Sequence, residues 1–91
     1  MDTNTKPRCA VLGYGSWATA IVKTLTVNHH HVDWLVLNDE IRESLKMRSR
    51  NPKYLPWFYI DQELMTPSND RNAVVRDADI VILALPSAFF K

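Results

Sequence analysis

The only two glycines of the chain stand two residues apart, in the segment 13–18, whose sequence is G-Y-G-S-W-A. This segment fits the pattern G-x-G-x-x-A, in which each small residue has its own physical task. Gly13 allows a tight turn after a strand, Gly15 lets a ligand approach the backbone, and Ala18 lets the next helix pack against that strand. Such a turn places the pyrophosphate of a dinucleotide at a helix N-terminus, so it constrains both fold and ligand.

The residues on both sides of this turn predict one β-α-β unit. The apolar stretch 8–12 predicts a buried strand, and the stretch 32–37, rich in branched and aromatic residues, predicts a second strand. Strand, turn, helix and strand together occupy about 30 residues, the length of one such unit. The alternative is a glycine loop without a ligand, which these surroundings disfavour. The helix between the strands is indicated by apolar residues spaced along one face: Ala18, Ile21, Val22 and Leu25.

A second helix and a long loop follow the second predicted strand. Asn38 suits the N-cap of that helix, and Asp39 and Glu40 place negative charge in its first turn. The stretch 49–62 contains two prolines and many aromatic residues, so we predict a loop there. Such an apolar loop covers a core edge, a ligand or another domain.

Three more elements complete the predicted sheet: a short edge strand at 64–68, a short helix at 70–77 and an apolar strand at 80–85. The last of these has the composition of a central parallel strand buried on both faces. With right-handed crossovers, this order predicts an α/β fold, a partial Rossmann (doubly wound) parallel sheet with strand order 3-2-1-4 and flanking helices. Ligands of such sheets bind at the carboxyl edge, so we expect the glycine turn and residues 86–90 to meet at one crevice.

Length and charge exclude several functional classes. The chain has 91 residues and a formal net charge of +1, which favours one small domain and gives no electrostatic reason to bind nucleic acid or an anionic membrane. No targeting segment or bilayer-length apolar run is present, so we expect a cytoplasmic location. The lone Cys9 is expected to be a buried apolar residue. Three successive histidines, 29–31, predict a solvated connection and not a metal site, and no metal is expected.

Three segments, in order, resemble the NAD(P)-dependent glycerol-3-phosphate dehydrogenases, and the resemblance extends over residues 8–91. The segment 11–20 is similar to the glycine loop of that family, in which Ser-Trp after the second glycine is typical. The segment 51–56 resembles its N-x-x-Y-L-P motif, and the segment 77–87 resembles its A-D-x-V-x-x-A-V-P-S strand.

The resemblance implies the N-terminal, cofactor-binding part of an enzyme that interconverts dihydroxyacetone phosphate and sn-glycerol 3-phosphate by hydride transfer with NAD(P)(H). This reaction belongs to glycerol-3-phosphate metabolism and phospholipid biosynthesis. In such enzymes the catalytic lysines and the substrate domain lie in later segments, so no catalytic residue is assigned here, Lys91 included, and the chain alone is expected to be inactive. We also expect residues 1–7 to be a disordered tail and the enzyme to be a homo-oligomer. The alternatives are a non-catalytic dinucleotide-binding module or a related hydroxy-acid dehydrogenase.

The predicted cofactor-binding residues come from the glycine turn, the end of the second strand, the aromatic loop and the segment after the last strand. Relatives that use NADP often have Arg or His at the end of the second strand, where this chain has Leu37 and then Asn38. Neither side chain is charged, so the sequence favours NAD, with NADP possible. For Ser16 and Trp17 the alternatives are an N-cap serine and a packed tryptophan, and Tyr54 could equally be a loop anchor. The predicted set is Gly13, Gly15, Ser16, Trp17, Leu37, Asn38, Tyr54, Pro86, Ser87 and Phe89.

Overall fold

The computed structural model describes residues 6–53, 55 and 57–84 of the chain. Strands and helices alternate along it, as the sequence predicts. The elements are β1 (Cys9–Leu12), α1 (Ser16–Val27), β2 (Val32–Leu35), α2 (Asp39–Arg48), β3 (Met65–Ser68), α3 (Arg71–Arg76) and β4 (Ile80–Leu83).

All four strands pair in parallel in the order β3-β2-β1-β4, which confirms the predicted sheet. In the register of this sheet, Leu12 at the end of β1 lies beside Leu35 of β2 and Leu83 of β4. The three carboxyl ends therefore meet at one edge, and the turn from β1 into α1 begins there. Strand β2 ends at Leu35, earlier than predicted, so Leu37 and Asn38 lie in the connection to α2.

Helices cover both faces of the sheet, as in a doubly wound fold. On one face Trp34 of β2 is fully buried together with Ala18 and Val22 of α1 and Ile41 of α2. On the other face Val74 of α3 packs in a smaller cluster with residues of β1 and β2. Every residue of β2 is buried. The core is therefore centred on β2, and the close packing expected of Ala18 is observed.

Strand β4 corrects one prediction. Its apolar sequence predicts burial on both faces, but Ile80, Val81 and Leu83 are 45%, 50% and 61% exposed. Within the described residues β4 pairs only with β1 and stands at the edge of the sheet. Burial on both faces requires helices and a second neighbouring strand. An apolar sequence shows that a strand can be buried in this way, but it does not supply the elements that would cover it.

At the opposite, amino-terminal edge, an ion pair ties β1 to β2. The guanidinium of Arg8 donates to both carboxylate oxygens of Asp33, with Nε–Oδ2 2.6 Å and Nη2–Oδ1 2.9 Å. This hydrogen bonding raises the pKa of Arg8 above its ordinary value. Cys9, next to Arg8, is buried with a free thiol, and burial raises its pKa, with the charge of Asp79 adding to the effect. Cys9 is thus a buried residue, as predicted.

The histidine segment forms the connection between α1 and β2. His29 has a φ of 66°, and His30 places Nδ1 3.1 Å from the carbonyl oxygen of Pro7. Among residues 6–53, 55 and 57–84, no group of three His, Cys, Asp or Glu side chains could hold a metal ion. None of the helices in that part of the chain is long and apolar enough to cross a membrane.

Candidate functional site

The two glycines of the turn between β1 and α1 differ in what the backbone requires. Gly13 has a φ of 122°, a conformation that only glycine adopts without strain. Gly15 has φ −81° and ψ −165°, which any residue can adopt, and a Cβ built there meets no atom within 4 Å. The fold therefore requires glycine at position 13 but not at position 15. The missing side chain of Gly15 leaves open space in front of the backbone.

Two buried side chains hold the turn in place from the protein side. Trp34 Nε1 donates to the carbonyl oxygen of Gly13 at 2.5 Å. Asn51, which is fully buried, donates from Nδ2 to the carbonyl oxygen of Tyr14 at 2.9 Å and to Thr19 Oγ1 at 3.1 Å. The carbonyl groups of the turn are thereby fixed toward the core. Such a preorganised loop can bind a ligand without first paying the entropic cost of ordering.

Helix α1 begins without a side-chain cap. Gly15 is its N-cap residue, no hydrogen bond from a side chain caps it, and its first turn has no acidic residue. The amide groups at the start of a helix lack partners within the helix and carry partial positive charge. Ser16 is the first helical residue rather than the N-cap, and Trp17 is 71% exposed, so the packed-tryptophan alternative is wrong. This arrangement suits an anionic group.

A crevice of about 290 Å³ opens at the carboxyl ends of β1, β2 and β4, next to the turn. The walls that the described residues form are mostly apolar and include one charged side chain, that of Arg71 of α3. A crevice at this edge is where ligands of open parallel sheets bind. The lining residues are Leu12, Gly13, Tyr14, Leu35, Leu37, Arg71 and Leu83.

The structure brings together part of the predicted site. Leu37 lines the crevice beside the glycine turn and is 58% exposed. Asn38 lies next to it, but its Oδ1 accepts a hydrogen bond from the amide of Ile41 at 3.0 Å, so this oxygen caps α2. The remaining members of the predicted set lie outside the described residues: Tyr54, Pro86, Ser87 and Phe89.

Three residues near the site were missed by the sequence prediction. Asn51 stands in a recognisable motif, but the motif did not show that its amide would hold the glycine turn. Trp34 was predicted as a strand residue, and nothing in the strand pattern indicated a hydrogen bond to Gly13. No sequence signal distinguished Arg71 from the other basic residues of the chain.

Comparisons with known proteins agree on one family. The sequence model of the family described as "NAD-dependent glycerol-3-phosphate dehydrogenase N-terminus" matches residues 8–91. A glycerol-3-phosphate dehydrogenase [NAD(P)+] of Teredinibacter turnerae is 42% identical over 85 residues, which are 92% of this chain and 24% of that protein. The enzyme of the same name from Nocardia farcinica is 39% identical over 80 residues, 88% of this chain and 23% of its own length.

A solved structure shows a similar fold. The crystal structure of glycerol-3-phosphate dehydrogenase from Coxiella burnetii superimposes with a TM-score of 0.77 at 22% identity, covering 86% of this chain and 24% of that one. The chain thus spans about a quarter of the length of these curated relatives, 24% of one and 23% of the other.

Proposed function

Because the chain belongs to the family of NAD-dependent glycerol-3-phosphate dehydrogenases, matching its N-terminal part over residues 8–91, we propose that it binds NAD or NADP at the turn between β1 and α1. In this proposal the pyrophosphate lies against Gly15 and accepts hydrogen bonds from the backbone amides of Ser16 and Trp17. The adenosine end of the dinucleotide lies in the crevice along Leu37.

The open space at Gly15 is the observation that carries this proposal. Its backbone conformation does not require glycine, and no neighbouring atom would contact a side chain there. The absence of a side chain is therefore explained by close approach of a ligand. A pyrophosphate supplies the acceptors and the negative charge that the uncapped start of α1 lacks.

The walls of the crevice favour the adenosine half of a dinucleotide over a free phosphate group. Leu12, Leu35 and Leu83 form an apolar floor at the ends of three strands, which suits a flat adenine ring. Asn38 is proposed to contact the ribose. The other proposed contacts rest on the sequence alone and come from Tyr54 and the segment after β4: Pro86, Ser87 and Phe89.

The proposed reaction of the whole enzyme follows from the family. Dihydroxyacetone phosphate accepts a hydride at its carbonyl carbon from NAD(P)H and a proton at its oxygen, which gives sn-glycerol 3-phosphate, and the reverse reaction returns both. Residues 8–91 bind and orient the cofactor as the N-terminal part of a dinucleotide-binding domain. Substrate-binding and catalytic groups are assigned to residues outside this chain. We further propose a homo-oligomer in the cytoplasm.

The test is a titration of NADH into the wild-type chain and into Gly15→Val. The branched side chain fills the space in front of the turn, so we expect binding to weaken about ten- to hundredfold, the worth of one charge-assisted hydrogen bond. Ala20→Val, on the same helix, is the matched control and should bind as the wild type does. Circular dichroism verifies that all three proteins are folded. Equal affinity of Gly15→Val and the wild type would refute the assignment of the turn.

A further inference from the structure

Among the residues that the structure describes, one cation lines the crevice. Arg71 lines it together with apolar residues, and its side chain is exposed. Within residues 6–53, 55 and 57–84, the Arg71 guanidinium makes no hydrogen bond or ion pair. A guanidinium carries five N–H donors in a planar fork and is always charged. Arg71 therefore offers an unused anion-binding group at the rim of an apolar crevice.

The other charged groups close to Leu37 are already paired. Arg42 donates to the carbonyl oxygen of Val36 at 3.0 Å and to the carboxylate of Asp39, and its side chain is only 12% exposed. Glu40 lies 3.5 Å from the ammonium of Lys53. Neither carboxylate at the start of α2 is thus paired with Arg71, and Arg42 is held by Val36 and by Asp39. Among the described residues that line the crevice, Arg71 is the one basic side chain.

We propose that Arg71 is the residue that binds the 2′-phosphate when the site holds NADP(H); this inference rests on the proposed dinucleotide site. The adenosine ribose of a dinucleotide lies near the end of the second strand, where the segment of Leu37 and Asn38 supplies no cation. Arg71, the first residue of α3, lines the same crevice as Leu37. The guanidinium of Arg71 would donate two charge-assisted hydrogen bonds to a 2′-phosphate there.

This assignment changes the expectation drawn from the sequence. A preference for NAD followed from the uncharged residues after β2, on the assumption that a phosphate-binding base must stand in that segment. The crevice shows that a residue some thirty positions later in the chain lines the same space. The choice between NAD and NADP would then be set by Arg71 on α3, and not by a basic residue directly after β2.

The experiment compares NADPH and NADH binding to the wild-type chain and to Arg71→Leu. Loss of a charge-assisted contact should weaken NADPH about ten- to hundredfold and leave NADH within about twofold. Arg76→Leu removes the same charge from the same helix at a residue that does not line the crevice, so it should change neither affinity. The probes 2′,5′-ADP and 5′-AMP repeat the comparison with the adenosine end alone. Circular dichroism shows whether each variant is folded.

Each outcome decides the proposal. Selective loss of NADPH and 2′,5′-ADP in Arg71→Leu supports it. Equal loss of both cofactors overturns it, because the arginine would then stack on adenine, and unchanged affinities overturn it as well. A wild-type chain that binds NADH but not NADPH overturns this inference and leaves the dinucleotide site standing. A wild-type chain that binds neither cofactor overturns both.

Discussion

Helices α1 and α2 follow adjacent strands and begin at the same edge of the sheet, yet their N-termini differ. Helix α2 is capped by Asn38, which accepts a hydrogen bond from the amide of Ile41, and its first turn carries Asp39 and Glu40. Helix α1 begins at Gly15 with neither a side-chain cap nor an acidic first turn. The chain thus satisfies the start of α2 with its own side chains. The start of α1 has the positive end of its dipole available to a ligand.

Helix α1 compensates for its uncapped start by packing and by support from behind the turn. Ala18 and Val22 are fully buried in the core, and the buried amide of Asn51 reaches Thr19 in the first two turns of the helix. Most helical stability in proteins comes from tertiary packing of this kind. A binding site can therefore be kept at one helix N-terminus without loss of the fold.

The largest expected effect concerns the support behind the turn. Trp34→Ala removes a fully buried ring and the donor to Gly13, and it should reduce the free energy of unfolding by about 3–5 kcal/mol. Small domains have about 5–15 kcal/mol in total, so this variant should be partly or wholly unfolded. Urea unfolding followed by circular dichroism measures the change.

Trp34→Phe separates the hydrogen bond of Trp34 from its packing. The phenyl ring keeps much of the buried area but leaves the carbonyl of Gly13 without its donor, which should cost about 1–3 kcal/mol. NADH binding should weaken, because the turn is no longer held, whereas the cap of α2 is untouched. A Trp34→Phe chain with the stability and NADH affinity of the wild type would show that this contact does not support the turn.

The next-largest expected change in stability comes from a pair of variants, one at each helix start. Asn38→Ala deletes the cap of α2 and should destabilise the chain by about 1 kcal/mol. Ser16→Ala changes the first residue of α1, whose hydroxyl does not cap that helix, and should stay within about 0.5 kcal/mol of the wild type. Thermal and urea unfolding of both variants provide the measurement. Similar losses in both would mean that α1 is capped by its own serine after all.

The sequence predicted the features of both helix starts that depend on neighbouring residues. It did not predict the contacts between residues far apart in the chain. The cap at Asn38, the acidic residues after it and the glycine turn are patterns of a few neighbouring residues, and they predicted both helix starts. Asn51 reaches the carbonyl of Tyr14 across 37 positions of the chain. No local periodicity encodes such a contact, since it depends on how the loop after α2 folds back.

Two sheet predictions were wrong because both the end of a strand and its burial depend on the neighbouring elements, which composition does not specify. The composition of 32–37 indicated strand up to Leu37, but pairing with β3 ends at Leu35 opposite Ser68. The apolar run at β4 indicated burial, but burial depends on neighbours that composition does not specify. The strand order itself was predictable, because right-handed crossovers allow few arrangements of these elements.

A small gain in stability gives the sharpest contrast between the helix starts. Gly15→Asp places a carboxylate at the N-cap of α1, where φ is −81° and no atom lies within 4 Å of the new Cβ. The variant should gain about 0.3–1 kcal/mol in unfolding free energy from capping and from the helix dipole. The same carboxylate would occupy the position of the pyrophosphate and repel that group, so NADH binding should fall at least about tenfold.

Asn38→Asp makes the corresponding change at α2 and should keep NADH binding, since an acidic residue after the second strand can bind the ribose hydroxyls. A Gly15→Asp chain that binds NADH like the wild type would place the pyrophosphate elsewhere. One that loses more than about 1 kcal/mol would show that the fold itself requires glycine at position 15.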